Sequence, residues 1–228
     1  MNRVACVVRS HSRDKWSWYV LPWFVVGMAF VINWAIGALA AEGDVIQTGG
    51  IASIFVYMFV SGCISVTQSF PFLISLSVRR RDYFLGTTIM ASAVCLGSAI
   101  LLYALTEIEK ATGSWGIGMR FFTIPWIDSI PDVGRIWMYL IVLLLMFFLG
   151  FFISCWHRRF GRIGLWLLSI GIFAAVTLAL VLTTRYERWD DLGRFLGGFS
   201  PLGLISWLAA PTALLFAGSY LLLRKATV

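Results

Sequence analysis

The chain has 228 residues, of which 60% are hydrophobic, 16% aromatic and 13% charged, with a mean hydropathy of +0.86. A soluble domain carries charge on about a quarter of its residues, so a water-soluble globular protein is excluded and an integral membrane protein is indicated. The net charge of +7 does not point to nucleic acid once the basic residues are sorted by side of the membrane.

Taken in chain order, residues 3–17 place Val4, Val7, Val8 and Trp16 among Arg3, Arg9, Arg13 and Lys15, a pattern that suits an N-terminal interfacial helix on the inner membrane surface, or a positive flank that fixes orientation. Six stretches then reach the ~20 apolar residues needed to cross the hydrocarbon core as helices: 18–40, 51–76, 83–106, 136–156, 163–183 and 201–223. The first ends in Ala38-Leu39-Ala40 before Ala41-Glu42, which imitates a signal-peptide cleavage site. Its apolar run exceeds the usual signal length, so it reads as an uncleaved span.

Between the second and third spans lies a tight turn with Arg79, Arg80 and Arg81, followed by Asp82, Tyr83 and Phe84. Pro71, inside the second span, removes a backbone donor and permits a kink that aims the helix end. The segment 107–135 mixes Trp115, Phe121, Phe122, Ile124, Trp126 and Ile127 with Gly113, Gly116, Gly118, Pro125 and Pro131, and is expected to rest at the outer interface, where aromatic rings prefer to sit. In 184–200, Trp189, Leu192, Phe195 and Leu196 recur at helical spacing against Glu187, Asp190, Asp191 and Arg194, which predicts a short surface helix ending near Gly197 and Gly198. It serves as an aromatic anchor or as a lid. Ser200-Pro201 reads as an N-cap followed by a first-turn proline that starts the sixth span, and Pro211 permits a kink within it.

Of the 18 Lys and Arg residues, twelve fall in the N-terminal segment, the 79–81 turn, the turn with Arg158, Arg159 and Arg162, and the C-terminal Arg224-Lys225; nine of the eleven acids fall on the other side. By the positive-inside rule this places both termini in the cytoplasm of a multi-pass protein of the cell membrane. The whole chain, 1–228, is then one transmembrane domain, because the longest gap between spans is under thirty residues.

The spans hold no Asp, Glu, Lys, Arg or His well inside their apolar stretches. Such groups cost at least ~2.5–3.5 kcal/mol at membrane depth and mark ion or proton pathways, so an ion-coupled carrier is disfavoured. Asn33, Tyr57, Gln68 and Tyr103 are left for helix-to-helix hydrogen bonding. No HExxH, GxSxG or GxxxxGK[ST] occurs, which removes the common hydrolytic and P-loop chemistries; catalytic, cofactor-binding and metal-ligating residues are none. His11 and His157 lack ligand partners at suitable spacing and read as solvated basic surface. Cys6, Cys63, Cys95 and Cys155 show no CxxC spacing and read as small buried hydrophobes.

Four stretches together carry a resemblance to a known family: Thr67-Gln-Ser-Phe-Pro-Phe72; Ser77-Val-Arg-Arg-Arg-Asp-Tyr-Phe-Leu-Gly-Thr87; Ala111-Thr-Gly-Ser-Trp-Gly-Ile-Gly118 with Arg120-Phe121-Phe122; and Tyr220-Leu-Leu-Leu-Arg-Lys-Ala-Thr227. In their order and spacing the chain resembles the membrane subunits of type-2 ATP-binding-cassette (ABC) transporters, among them the small six-helix permeases of actinobacterial and related Gram-positive exporters. The resemblance implies an all-α permease that pairs as a homodimer or heterodimer, binds a separate cytoplasmic ABC ATPase subunit, and exports a hydrophobic or amphipathic solute. It also implies a short coupling helix between spans two and three, with Arg79, Arg80, Arg81, Asp82, Tyr83 and Phe84 inserting into a groove of the ATPase. A non-transport accessory, immunity or sensor protein is the alternative, in which the arginine turn fixes topology only.

Overall fold

The computed structural model describes residues 3–39, 46–124 and 130–224. Helices dominate them: α1 Arg3–Arg13, α2 Trp16–Leu39, α3 Ala52–Ser75, α4 Arg80–Ala111, α5 Asp132–Arg185, α6 Trp189–Gly197, α7 Pro201–Ser206 and α8 Ala209–Arg224. Two two-residue strands, β1 Ile46–Gln47 and β2 Met119–Arg120, pair in parallel. The fold is all-α, with five helices long and apolar enough to cross a membrane: α2, α3, α4, α5 and the run Pro201–Arg224. This composition and helix set are those of a multi-pass membrane protein.

The 54 residues of α5 would extend ~80 Å at 1.5 Å per residue, well over twice the hydrocarbon thickness of ~30 Å. The helix is not straight. Gly161 interrupts it at φ 68°, ψ −163°, a region that residues with a Cβ avoid, so the two expected stretches 136–156 and 163–183 lie on either side of a backbone break. Before the break the helix builds the core, with Leu143, Phe147, Phe151 and Cys155 fully or almost fully buried; after it, Trp166, Phe173 and Leu178 stand exposed.

The core centres on the crossing of α3 and α5. A Cβ at Gly150 would lie 2.0 Å from the carbonyl oxygen of Phe59, and one at Gly62 would lie 2.2 Å from that of Phe147. Backbone therefore meets backbone, the close approach that small residues allow between membrane helices. The Cys63 thiol donates to the Gly150 carbonyl across the same contact at 3.4 Å. Around it pack Ile54, Met58 and Val66 of α3 with Tyr83, Phe84 and Leu102 of α4.

Proline leaves two signatures. Upstream of Pro71 the helix widens over Ser65–Ser69 into a π turn, in which the Phe70 N–H donates to Ser65 O; a proline ring crowds the carbonyl four residues back, and the wider turn relieves that crowding. The run Pro201–Arg224 breaks at Trp207-Leu208, four and three residues before Pro211, into α7 and α8. Ser200 is the N-cap expected of it, its hydroxyl accepting from the Gly203 N–H at 3.1 Å. The helix expected before Gly197 is present as α6.

One expectation is corrected. No separate helix lies between α3 and α4: four residues, 76–79, connect them, too few for an independent helical turn with its own caps. The helix that contains the expected third span, 83–106, runs from Arg80 to Ala111. Helix α1 is docked on the bundle: Val7 and His11 are buried against α4 while Arg3, Arg9 and Arg13 are exposed, and Gly86 permits the approach, since a Cβ there would lie 2.6 Å from Val7 Cβ.

Replacement of Gly150 by Leu is expected to destabilise the detergent-solubilised chain by ~3 kcal/mol or more, because the added atoms meet backbone that cannot rotate away. Gly171 has nothing within 4 Å of its Cβ position, so Gly171→Leu is expected to leave the melting temperature within a degree or two. Thermal unfolding followed by circular dichroism checks both.

Candidate functional site

The turn into α4 is built by local backbone rules. Ser77 N–H donates to Ile74 O at 2.9 Å and Val78 N–H to Leu73 O at 3.2 Å, which is the Schellman pattern of a helix end. Its left-handed residue is Ser77, at φ 62°, where glycine would carry no Cβ penalty. Arg79 then adopts extended geometry (φ −69°, ψ 142°) with no side-chain cap, and Arg80 opens the helix.

Two arginines at a helix N-terminus oppose the macrodipole. Asp82, in the same turn, offsets part of that cost. Arg80 turns aside, donating from Nη1 to the Arg224 carbonyl at 2.9 Å; it thereby places its charge at the C-terminal end of α8, where cations are favoured. Among the described residues, none of Arg79, Arg80, Arg81 and Arg224 lies within ion-pair distance of a carboxylate.

The six residues of the expected coupling segment divide. Arg79 and Arg81 are exposed and Arg80 and Asp82 half-buried, whereas Tyr83 is 0% and Phe84 2% exposed. The Tyr83 hydroxyl donates to Ser65 O, at the widened turn of α3, and its ring meets Phe70 edge-on at 5.1 Å. Phe84 packs against Phe151, Phe216 and Tyr220. These two rings therefore anchor the turn to its own chain. They are the first members of the stripe Tyr83, Phe84, Thr87, Met90, Ala91, Val94, Cys95, Ser98, all buried, whose i, i+3, i+4 spacing is the readable signal of an inward face. The apolar side chains that do stand out beside the turn are Phe72, 60% exposed, and Leu76, 61% exposed.

Behind the turn, His11 is not solvated surface. It is 4% exposed, shares a 3.0 Å hydrogen bond between Nε2 and Thr87 Oγ1, and meets the Trp18 ring edge-on at 5.2 Å. Burial pushes its pKa down to about 4, against a smaller raising influence from Asp14. Arg158 stacks over Phe70 at 5.0 Å, tying the post-core part of α5 to the base of the same turn.

The opposite end of the bundle is organised by a residue that charge sorting counted only as an outer acid. Glu109 is 1% exposed, and its carboxylate accepts from four donors: Oε2 from Trp115 Nε1 at 2.8 Å and the Phe121 and Phe122 N–H groups at 2.9 Å each, and Oε1 from the Thr123 N–H at 2.8 Å. Phe121 and Phe122 are consequently buried within the protein, packed with Trp115 around Phe30 of α2. Arg135 bonds Glu107 and Asp132 beside it. An apolar cleft of ~190 Å³ opens under this roof between Trp23, Val26, Gly27, Phe30, Leu105 and Phe122.

Other expectations resolve unevenly. Tyr57 does bridge helices, its hydroxyl donating to Ser17 O at 2.7 Å, but Asn33 bonds its own helix at Ala29 O. Cys95 and Cys155 are buried and Cys6 is exposed. No group of three His, Cys, Asp or Glu side chains suited to a metal occurs among the described residues. Ala40, Ala41, Glu42, Asp44, Pro125, Trp126, Ile127, Asp128 and the terminal residues 225–227 lie outside the described residues.

His11 supplies a pH prediction. Its pKa is lower with α1 docked than the ordinary 6.5 it regains when α1 is released, so the docked state is fully favoured above pH 6.5 and loses stability as the pH falls toward 4, by up to ~3 kcal/mol. Hydrogen exchange of residues 3–13 is expected to accelerate between pH 6.5 and 4.5 after correction for intrinsic rates. His11→Gln should remove that acceleration.

In comparisons with known proteins, no family model matches the chain, and no curated protein or solved structure shows significant similarity to it.

Proposed function

We propose that the chain is the membrane-spanning permease subunit of an ABC exporter, with six spans, both termini in the cytoplasm, and a cytoplasmic ATPase bound at the turn into α4. The sixth span in this reading is gained by counting α5 as two membrane crossings separated at Gly161. The observation that carries the reading is the turn itself: two exposed arginines and exposed Leu76 on a short, well-fixed connection, with no acidic partner for the arginines among the described residues. A topology signal needs only charge on the correct side. A docking element needs shape as well, and here the Schellman closure and buried Tyr83 and Phe84 supply it.

The docking surface is accordingly Leu76, Arg79 and Arg81, with Asp82 beside them, while Tyr83 and Phe84 fix its base. Arginine makes charge-assisted, bidentate contacts to carboxylates, so the complementary groove on the ATPase is acidic around an apolar pocket for Leu76. Pairing with a second permease subunit belongs to the same reading, and the exposed apolar helix after Gly161 offers a flank for it. The exported solute is hydrophobic or amphipathic, in keeping with spans free of deep ionisable groups.

The test is affinity purification of the tagged chain from its native membranes in mild detergent, followed by photolabelling with an azido-ATP analogue. A labelled cytoplasmic polypeptide is expected to co-purify. The double variant Leu76→Ser, Arg79→Ala should insert at wild-type levels and recover at least ~10-fold less of it, the effect of losing one or two interface hot spots. Absence of any nucleotide-labelled partner, or equal recovery by the variant, contradicts the proposal.

A further inference from the structure

At the end of the bundle where α4 begins and α8 ends, a cleft of ~360 Å³ is lined by Arg80, Arg81, Tyr220, Leu223 and Arg224. Three arginines thus line one concavity, with no ion pair to a carboxylate among the described residues, Asp82 included. One donor of Arg80 is occupied by the Arg224 carbonyl at 2.9 Å; that bond holds the two helix ends together and leaves the other guanidinium donors of Arg80, together with those of Arg81 and Arg224, for a ligand. The lining includes apolar Leu223, 1% exposed, and α8 also carries Leu214 and Leu221, exposed by 73% and 59%.

We infer that this cleft binds the phosphate of an anionic phospholipid. Like charges gathered without a counter-ion repel one another, and a phosphodiester offers the planar guanidinium forks the bidentate acceptor that suits them. The apolar flank of α8 distinguishes a lipid from a free anion, because acyl chains can follow Leu221 and Leu214 from a headgroup held by the arginines. Basic pockets between membrane helices take anionic headgroups by this chemistry. Only the membrane reading is needed and the ATPase is not; Arg81 borders both surfaces, but the docking experiment varies Leu76 and Arg79 alone, so failure of either experiment leaves the other informative.

The experiment is native mass spectrometry of the purified full-length chain titrated with phosphatidylglycerol or phosphatidylcholine. The wild type is expected to hold one phosphatidylglycerol at least ~10-fold more tightly than phosphatidylcholine. The cleft variant Arg80→Gln, Arg81→Gln, Arg224→Gln should bind the two lipids alike. A control that removes the same charge elsewhere, Arg13→Gln, Arg159→Gln, Arg162→Gln, should keep the preference. Arg81→Gln alone preserves the Arg80 bond to the Arg224 carbonyl and so tests the cleft if the triple variant does not fold; the preference should drop severalfold. Equal preference in wild type and in Arg81→Gln, loss of preference in the control, or displacement of the lipid by millimolar inorganic phosphate would each overturn the assignment.

Discussion

The close backbone approach of Gly62 to Phe147 and of Gly150 to Phe59 fixes the axis on which the rest of the molecule is hung. In a bilayer, burying apolar side chains between helices releases no structured water, so helix association depends on close packing and internal hydrogen bonds. Two glycines facing two carbonyl oxygens bring α3 and α5 to a separation that larger residues forbid. From that crossing α3 runs to its widened turn and Pro71, and α5 runs to Arg158, whose guanidinium sits over Phe70. Both helices therefore converge on the base of the arginine turn, and α4 completes the triangle through Tyr83 and Phe84.

The two ends of the bundle are closed by different chemistry. At the Arg80 end, opposite helix termini are set side by side: the start of α4 supplies the cation that the end of α8 needs. Helix α1 seals the flank with a neutral, buried His11. At the Glu109 end, one carboxylate gathers three backbone N–H groups and an indole N–H. Leaving those donors buried without an acceptor would cost ~1–3 kcal/mol each, which is why the short segment after α4 is a packed roof and not a free loop. Among the described residues the first end holds arginines without a carboxylate partner, whereas at the second Glu109 and Arg135 are paired, an asymmetry consistent with proposing partners for the first.

The helices were largely legible because hydropathy over ~20 residues is a strong, cumulative signal, and local grammar such as Ser200-Pro201 reads correctly when every contributing atom lies within four residues. What failed was long-range. Glu109 recruits its partners mainly from backbone, twelve to fourteen residues onward, and backbone donors leave no mark in a sequence. Tyr83 and Phe84 directly follow the arginines in sequence, and that proximity masks the buried stripe that they begin. His11 was counted as charged surface since its partners, Thr87 and Trp18, come from other helices. Gly161 lies within the basic stretch 158–162, where a turn was expected, yet only backbone geometry shows that one glycine accomplishes the break.

The account depends most on the assignment of the arginine end to the cytoplasm and the Glu109 end to the exterior. Cysteine accessibility in intact cells measures it directly, with single cysteines introduced at Ser77 and at Ser114 in a Cys6→Ser background and a membrane-impermeant maleimide. Labelling at Ser114 before permeabilisation, and at Ser77 only after it, is the predicted result. The reverse pattern would place the basic turn outside, where no ATPase can reach it, and would contradict the proposed coupling site and the function built on it.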